Sequence, residues 1–269
     1  MIIDNSATIG NHKSNRDEER SRTNYLKSEH CMGTTFTERY KNGETRTVYA
    51  DIMSLGEKSF HKEHYKDIQN VLHETCMRAS FNLNLIYNEL SSIGYNFCKE
   101  TQYNFQRPIV KPLPNTEKLL QRLDKIVKPY GHVPESLKTF YKIIGGCNFA
   151  WDYDSNDEIP WEGADPIQII PLDDLVSELV EMEGDPLEYL DLSADYFHKD
   201  NISGGPAYAI EITERPVIDG HFLHEEHDTT FIDYLRITFE NCGFSRAQYI
   251  NEPEFMRFVE KVRSRLLSI

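Results

Sequence analysis

The stretch from Thr116 to Asn148 constrains this chain most, because it reads as a helix, a break, a second helix and a glycine stop. In TEKLLQRLDKIV, Leu119, Leu120, Leu123, Ile126 and Val127 fall at i, i+1, i+4, i+7 and i+8, one face of a 3.6-residue period. Pro129-Tyr130-Gly131 ends that helix, since proline cannot continue it and glycine tolerates left-handed φ. Pro134 then restarts the pattern at a first helical position, where its missing N–H is no loss. Leu137, Phe140, Tyr141 and Ile144 line one face of the second helix, Gly145-Gly146 closes it, and Phe149-Ala150-Trp151 follows as an apolar, strand-prone run.

Around this unit the pattern continues in both directions. Lys66 to Leu90 predicts a long helix striped by Ile68, Val71, Leu72, Cys76, Ala79, Leu83, Ile86 and Leu90, with Gly94 just beyond. Tyr95 to Phe105 is aromatic and mixed, and Arg107-Pro108 to Pro114 is a proline-punctuated linker. Downstream, Ile167 to Ile170 predicts a buried strand, and Leu172, Leu175, Val176, Leu179 and Val180 a helix with Asp173 and Asp174 in its first turn, where negative charge suits the dipole. Leu187–Leu192, Ala207–Ile212 and a short run at Val217-Ile218 predict further strands. Two closing helices carry Phe231, Ile232, Leu235 and Phe239, then Phe255, Phe258, Val259, Val262 and Leu266. Helices at both ends of hairpin-linked strands predict an α+β fold, an antiparallel sheet flanked by helices.

The region before residue 66 reads differently. Residues 1 to about 24 are polar and charged, with little to bury. Phe36–Tyr40 and Thr45–Tyr49 are β-prone runs around Lys41-Asn42-Gly43-Glu44, and Asn-Gly is a strong turn signal, so a hairpin is expected there. The predicted organisation is therefore a variable, partly disordered extension over 1–65 and an α+β domain over 66–269.

Three segments carry a family resemblance. VPESLKTFYKIIGGCNF, with Pro134, Phe140, Gly145 and Gly146, resembles the helix-to-glycine signature of the SUKH superfamily. YFHKDNISGGPAYAI, with Gly204, Gly205 and Pro206, is similar to a loop-and-strand segment of a bacterial branch, and TTFIDYLRITFENCGF to the helix after it. The superfamily includes fungal regulators of cell-wall synthesis and bacterial immunity proteins that neutralise polymorphic toxins. The resemblance covers roughly Tyr65 to the C-terminus and implies the same α+β class, no catalysis, and a protein partner.

Charge narrows the partner. The chain of 269 residues has a net charge of −15, and residues 151 to 195 alone contain 15 Asp or Glu and no Lys or Arg. The remainder is balanced. Such a concentration can steer a basic partner towards one face, or simply keep a surface solvated. It argues against nucleic acid or an anionic membrane as ligand, and no run of 18 apolar residues is present. The expected partner-binding residues are Trp151, Asp152, Tyr153, Asp154, Asp157, Glu158, Trp161 and Glu162, with the aromatics as anchors among the carboxylates; Trp151 has an alternative place in the core.

Other chemistry is weaker. Five scattered cysteines (31, 76, 98, 147 and 242) without a CxxC fit a reduced, cytoplasmic protein, and the N-terminus lacks a signal-peptide pattern. His221, His224 and His227 lie close together but not at the HExxH spacing, so a polar loop is the expectation and a metal-dependent enzyme the alternative. Asp152, Asp154 and Asn156 match three positions of a calcium loop, but Asp157 and Gly163 stand where glycine and glutamate are needed. Ser203-Gly204-Gly205-Pro206 reads as a tight turn held by the side chains of Asp200, Asn201 and Ser203. No nucleophile motif appears, and no cofactor or metal is expected.

Overall fold

The computed structural model describes residues 34–99, 107–153, 161–182 and 186–269. The segment expected to form a hairpin is helical: α1 spans Phe36–Lys41 and α2 Thr45–Ser54. Thr35 and Glu38 form a reciprocal capping box, and the Asp67 carboxylate accepts hydrogen bonds from the amides of Phe36 (2.7 Å) and Thr37 (3.2 Å). Gly43, at φ +100°, separates the two helices instead of turning a hairpin. Burial accords with the helices: Val48 and Ile52, four residues apart on α2, are buried together, and so is Tyr40 of α1. These side chains join the same apolar core as the rest of the molecule.

The next helix, α3, runs Lys62–Ser92, longer at each end than its apolar stripe required, and the whole stripe from Ile68 to Leu90 is buried. After β1 (Ile109–Val110) come α4 (Thr116–Val127) and α5 (Glu135–Ile143). Pro134 is buried and caps α5 from outside the helix; it is not the first helical residue. Beyond Phe140, which is fully buried, Gly145 has φ +97°, and a Cβ there would lie 2.5 Å from the Val110 carbonyl oxygen. Only glycine fits that approach. The strand expected at Phe149–Trp151 falls earlier, as β2 (Gly146–Asn148), and Trp151 forms an isolated bridge with Phe97.

β2 is the middle strand of a three-stranded antiparallel sheet, β1-β2-β3, with β3 at Gln168–Ile169. Helix α6 (Leu172–Glu181) leads to β4 (Tyr189–Ser193), the one-turn α7 (Tyr196–Lys199) and β5 (Tyr208–Glu211). Strands β6 (His221–Leu223) and β7 (Thr229–Thr230) complete a second antiparallel sheet, β4-β5-β6-β7. The Ile170 amide donates to the Leu192 carbonyl at 2.8 Å, joining the end of β3 to β4. Val217 and Ile218 are not a strand. Their carbonyls accept from the amides of Glu135 and Ser136 and so satisfy the first turn of α5.

Helices α8 (Phe231–Glu240) and α9 (Pro253–Arg263) close the fold. The chain after α9 is tied back to α3, where the Asn82 side chain accepts from the Leu267 amide and donates to its carbonyl, both at 2.8 Å. The architecture is α+β, as the pattern predicted, but the described strands form two antiparallel sheets where one was expected. Among the described residues, no helix is long and apolar enough to cross a membrane.

Candidate partner-binding cleft

Two turns set the geometry of the acidic region. At the start of α7, the buried Asp195 carboxylate accepts from the His198 amide (2.9 Å), from the His198 imidazole Nδ1 (2.5 Å) and from the Gly205 amide. One side chain therefore caps a helix and holds the glycine turn, the work expected of Asp200, Asn201 and Ser203. Gly204 packs so closely on Asp195 and Phe197 that a Cβ there would collide with both. Pro206 follows, exposed, before β5.

Asp200 serves elsewhere. Buried at 6% exposure, it accepts from the Gly163 amide (2.7 Å) and the Tyr153 hydroxyl (3.4 Å), and burial pushes its carboxyl up to about 6. Next to it, Asp165 adopts φ +55° and accepts from Lys199 Nζ at 2.6 Å, from the Tyr208 hydroxyl at 3.1 Å and from the Ser245 hydroxyl. The Lys199 ammonium also lies 4.7 Å from the centre of the Tyr208 ring. A lysine fully withdrawn from solvent is stable only with such a set of partners, and the pair cancels its charge.

Above these groups opens a cleft of about 450 Å³, walled by Trp151, Asp152, Tyr153, Asp191, Asp195 and His198, with Gln168, Ser193 and Lys199 also lining it. Trp151 is 8% exposed and packs edge-on to Tyr95, while Trp161, at 6%, is surrounded by Phe244, Phe255 and Phe258. Both tryptophans are buried, so neither stands out as an exposed anchor; Trp151 walls the cleft, and both rings pack on Tyr95. Asp152 and Tyr153 are half-buried and Glu162 is exposed. Asp154, Asp157 and Glu158, like the calcium-loop positions from Asp154 to Ile159, lie outside the described residues.

Asp191, Asp195 and His198 join the cleft without having been singled out from the sequence. Two signals were legible there. In Tyr189–Ser193 the exposed Tyr189 and Asp191 alternate with buried Leu190 and Leu192, the period of a half-buried strand. Asp195-Tyr-Phe-His198 has the spacing of a capping side chain and its N3 amide.

The histidine segment is a strand and turn, not a plain loop. His221 Nε2 faces Asp228 at 3.1 Å, His224 Nδ1 faces the Ala207 carbonyl at 2.8 Å, and His227 Nδ1 faces Glu225 at 2.8 Å. Three imidazoles with three separate partners do not converge, and among the described residues no group of His, Cys, Asp or Glu is arranged to hold a metal ion. Cys76, Cys147 and Cys242 are buried free thiols, and burial pushes Cys147 up to about 12 and Cys242 to about 11, far from a reactive thiolate. Compared with protein-family models, curated proteins and solved structures, the chain has no match in any of the three.

Proposed function

We propose that this chain is a non-catalytic, cytoplasmic binding protein of the SUKH type, which captures a basic protein partner on its acidic cleft. In the immunity-like form of this reading the partner is a toxin domain, and the rigid α+β surface neutralises it by covering its active site. The observation that carries the reading is the charge of the cleft. Asp152, Asp191 and Asp195 line it, and the one lysine among its described lining residues, Lys199, is held inside by Asp165. A cationic surface gains from such a face through long-range attraction and short-range ion pairs, whereas phosphate groups of nucleic acid or lipid are repelled.

The test is capture of partners from the native cell with tagged full-length protein at low salt. The expected result is a basic toxin-domain protein, released as salt rises from about 0.05 to 0.5 M, because screening shortens the reach of exposed charges from about 14 to 4 Å. Asp152→Asn with Asp191→Asn should weaken capture at least about tenfold while leaving the melting temperature nearly unchanged. A partner held equally well in high salt and by the double variant would replace this reading with an apolar scaffold, as in the regulators of cell-wall synthesis.

A further inference from the structure

Asp191 borders two depressions. On one side is the cleft; on the other is a groove of about 210 Å³ between α6 and β4, whose apolar lining includes Leu175, Leu179, Met182, Leu187 and Tyr189. Met182 is 49% exposed and Tyr189 39%, so large apolar side chains are left to water beside the acidic cleft. A clustered apolar patch with a polar rim is the usual mark of a contact site. The rim is again acidic, formed by Glu178, Glu188 and Asp191. Among the described residues, the only basic side chains lining the two depressions are Lys199, locked on Asp165, and His198, held by Asp195.

The register of β4 links the two halves. Tyr189 and Asp191 project from the same face of one strand, which places them roughly 7 Å apart. A purely apolar ligand would strip water from the Asp191 carboxylate without pairing it. A purely cationic one would leave the groove wet. We infer that the occupant is a linear segment of the partner protein that pairs an Arg or Lys side chain, seated in the cleft between Asp152 and Asp191, with a large apolar side chain seated in the groove against Met182 and Tyr189. This rests on the partner-capture reading and specifies the chemistry of the segment. At the spacing set by β4, the two anchors are about two residues apart in an extended segment, or three to four apart in a helical one.

Binding of labelled, capped Gly/Ser-background peptides to the full chain, followed by fluorescence anisotropy at about 50 mM salt, tests it. The peptides carry Arg and Leu two, three or four residues apart, Arg alone, or Leu alone. One Arg–Leu spacing should bind at least about tenfold more tightly than either single-anchor peptide, a difference of about 1.4 kcal/mol. Met182→Ser and Tyr189→Ser change exposed side chains, so folding is retained, and they should remove that advantage while leaving the Arg-only peptide unchanged. Asp191→Asn should weaken both. If the Arg-only peptide binds as tightly as every Arg–Leu peptide, and Met182→Ser has no effect, the groove plays no part and charge-driven capture alone stands. If no Arg-containing peptide binds, and native-cell capture also fails, the partner-capture reading falls with it.

Discussion

At the scale of single residues, the acidic segment works through carboxylates that face inwards as much as through those that face water. Asp200 holds the Gly163 amide and the Tyr153 hydroxyl, and burial raises its carboxyl from 3.8 to about 6. A raised folded-state value means that the native protein binds this proton more tightly than the unfolded chain does. The contribution of Asp200 to stability is therefore fully present below about pH 4 and declines as pH rises to about 6, by roughly 2–3 kcal/mol in all. Asp200→Asn keeps an acceptor for Gly163 but does not titrate. The stability of this variant relative to the native chain should rise between pH 4 and 6 and level off above it, as measured by urea unfolding at half-unit steps. Parallel curves for the two proteins would refute the assignment. Asp195 and Asp165 have equally local tasks, one joining α7 to the glycine turn and one neutralising Lys199.

At the scale of elements, the outcome depended on whether a segment could bury its face by itself. The long stripe of α3 and the paired helices α4 and α5 were readable because each repeats an apolar face over several turns. Helix α1, of six residues, is too short to be stable alone, and its start is completed by a side chain 31 positions away, Asp67 of α3. Asp67→Ala should cost about 1–2 kcal/mol, measured by thermal or urea unfolding. It should also raise amide exchange in Phe36–Lys41 well before exchange in α3 is affected. A loss below about 0.3 kcal/mol would show that the capping box of Thr35 and Glu38 suffices. The Val217-Ile218 segment makes the same point in reverse: it has strand-like composition, but its carbonyls serve α5 and not a sheet.

At the scale of the whole molecule, one apolar core runs from Tyr40 in α1 through α3 and both sheets to Ile269. The described part of the N-terminal region, residues 34–65, contributes Tyr40, Val48, Tyr49 and Ile52 to it. Trp151 and Trp161, the only two tryptophans, report on the aromatic cluster around the cleft, whereas far-UV circular dichroism reports on all the helices. With one shared core the two signals should follow a single, coincident urea transition. A separate early loss of helical signal, before the fluorescence changes, would show that α1 and α2 unfold independently.

What the sequence determined by itself was the class of the fold and the sign of the surface. Apolar periodicity is a local property, and it located α3 to α6, α8, α9 and strands β2 to β5 to within a few residues, but not β1, β6 or β7; composition alone located the acidic stretch. Tertiary structure decided which charges meet and which aromatics stay inside. Trp151 read as a contact residue or as core and Trp161 as a contact residue, and only packing against Tyr95, Phe244, Phe255 and Phe258 showed both to be buried. Asp191 and Asp195 came to line one cleft with Asp152 as the end of β3 joined β4 through the Ile170 amide and α7 folded back onto the glycine turn. Such contacts join residues about 40 positions apart, and no local pattern encodes them: the free energy that selects them comes from burying surfaces that exist only once the elements have docked.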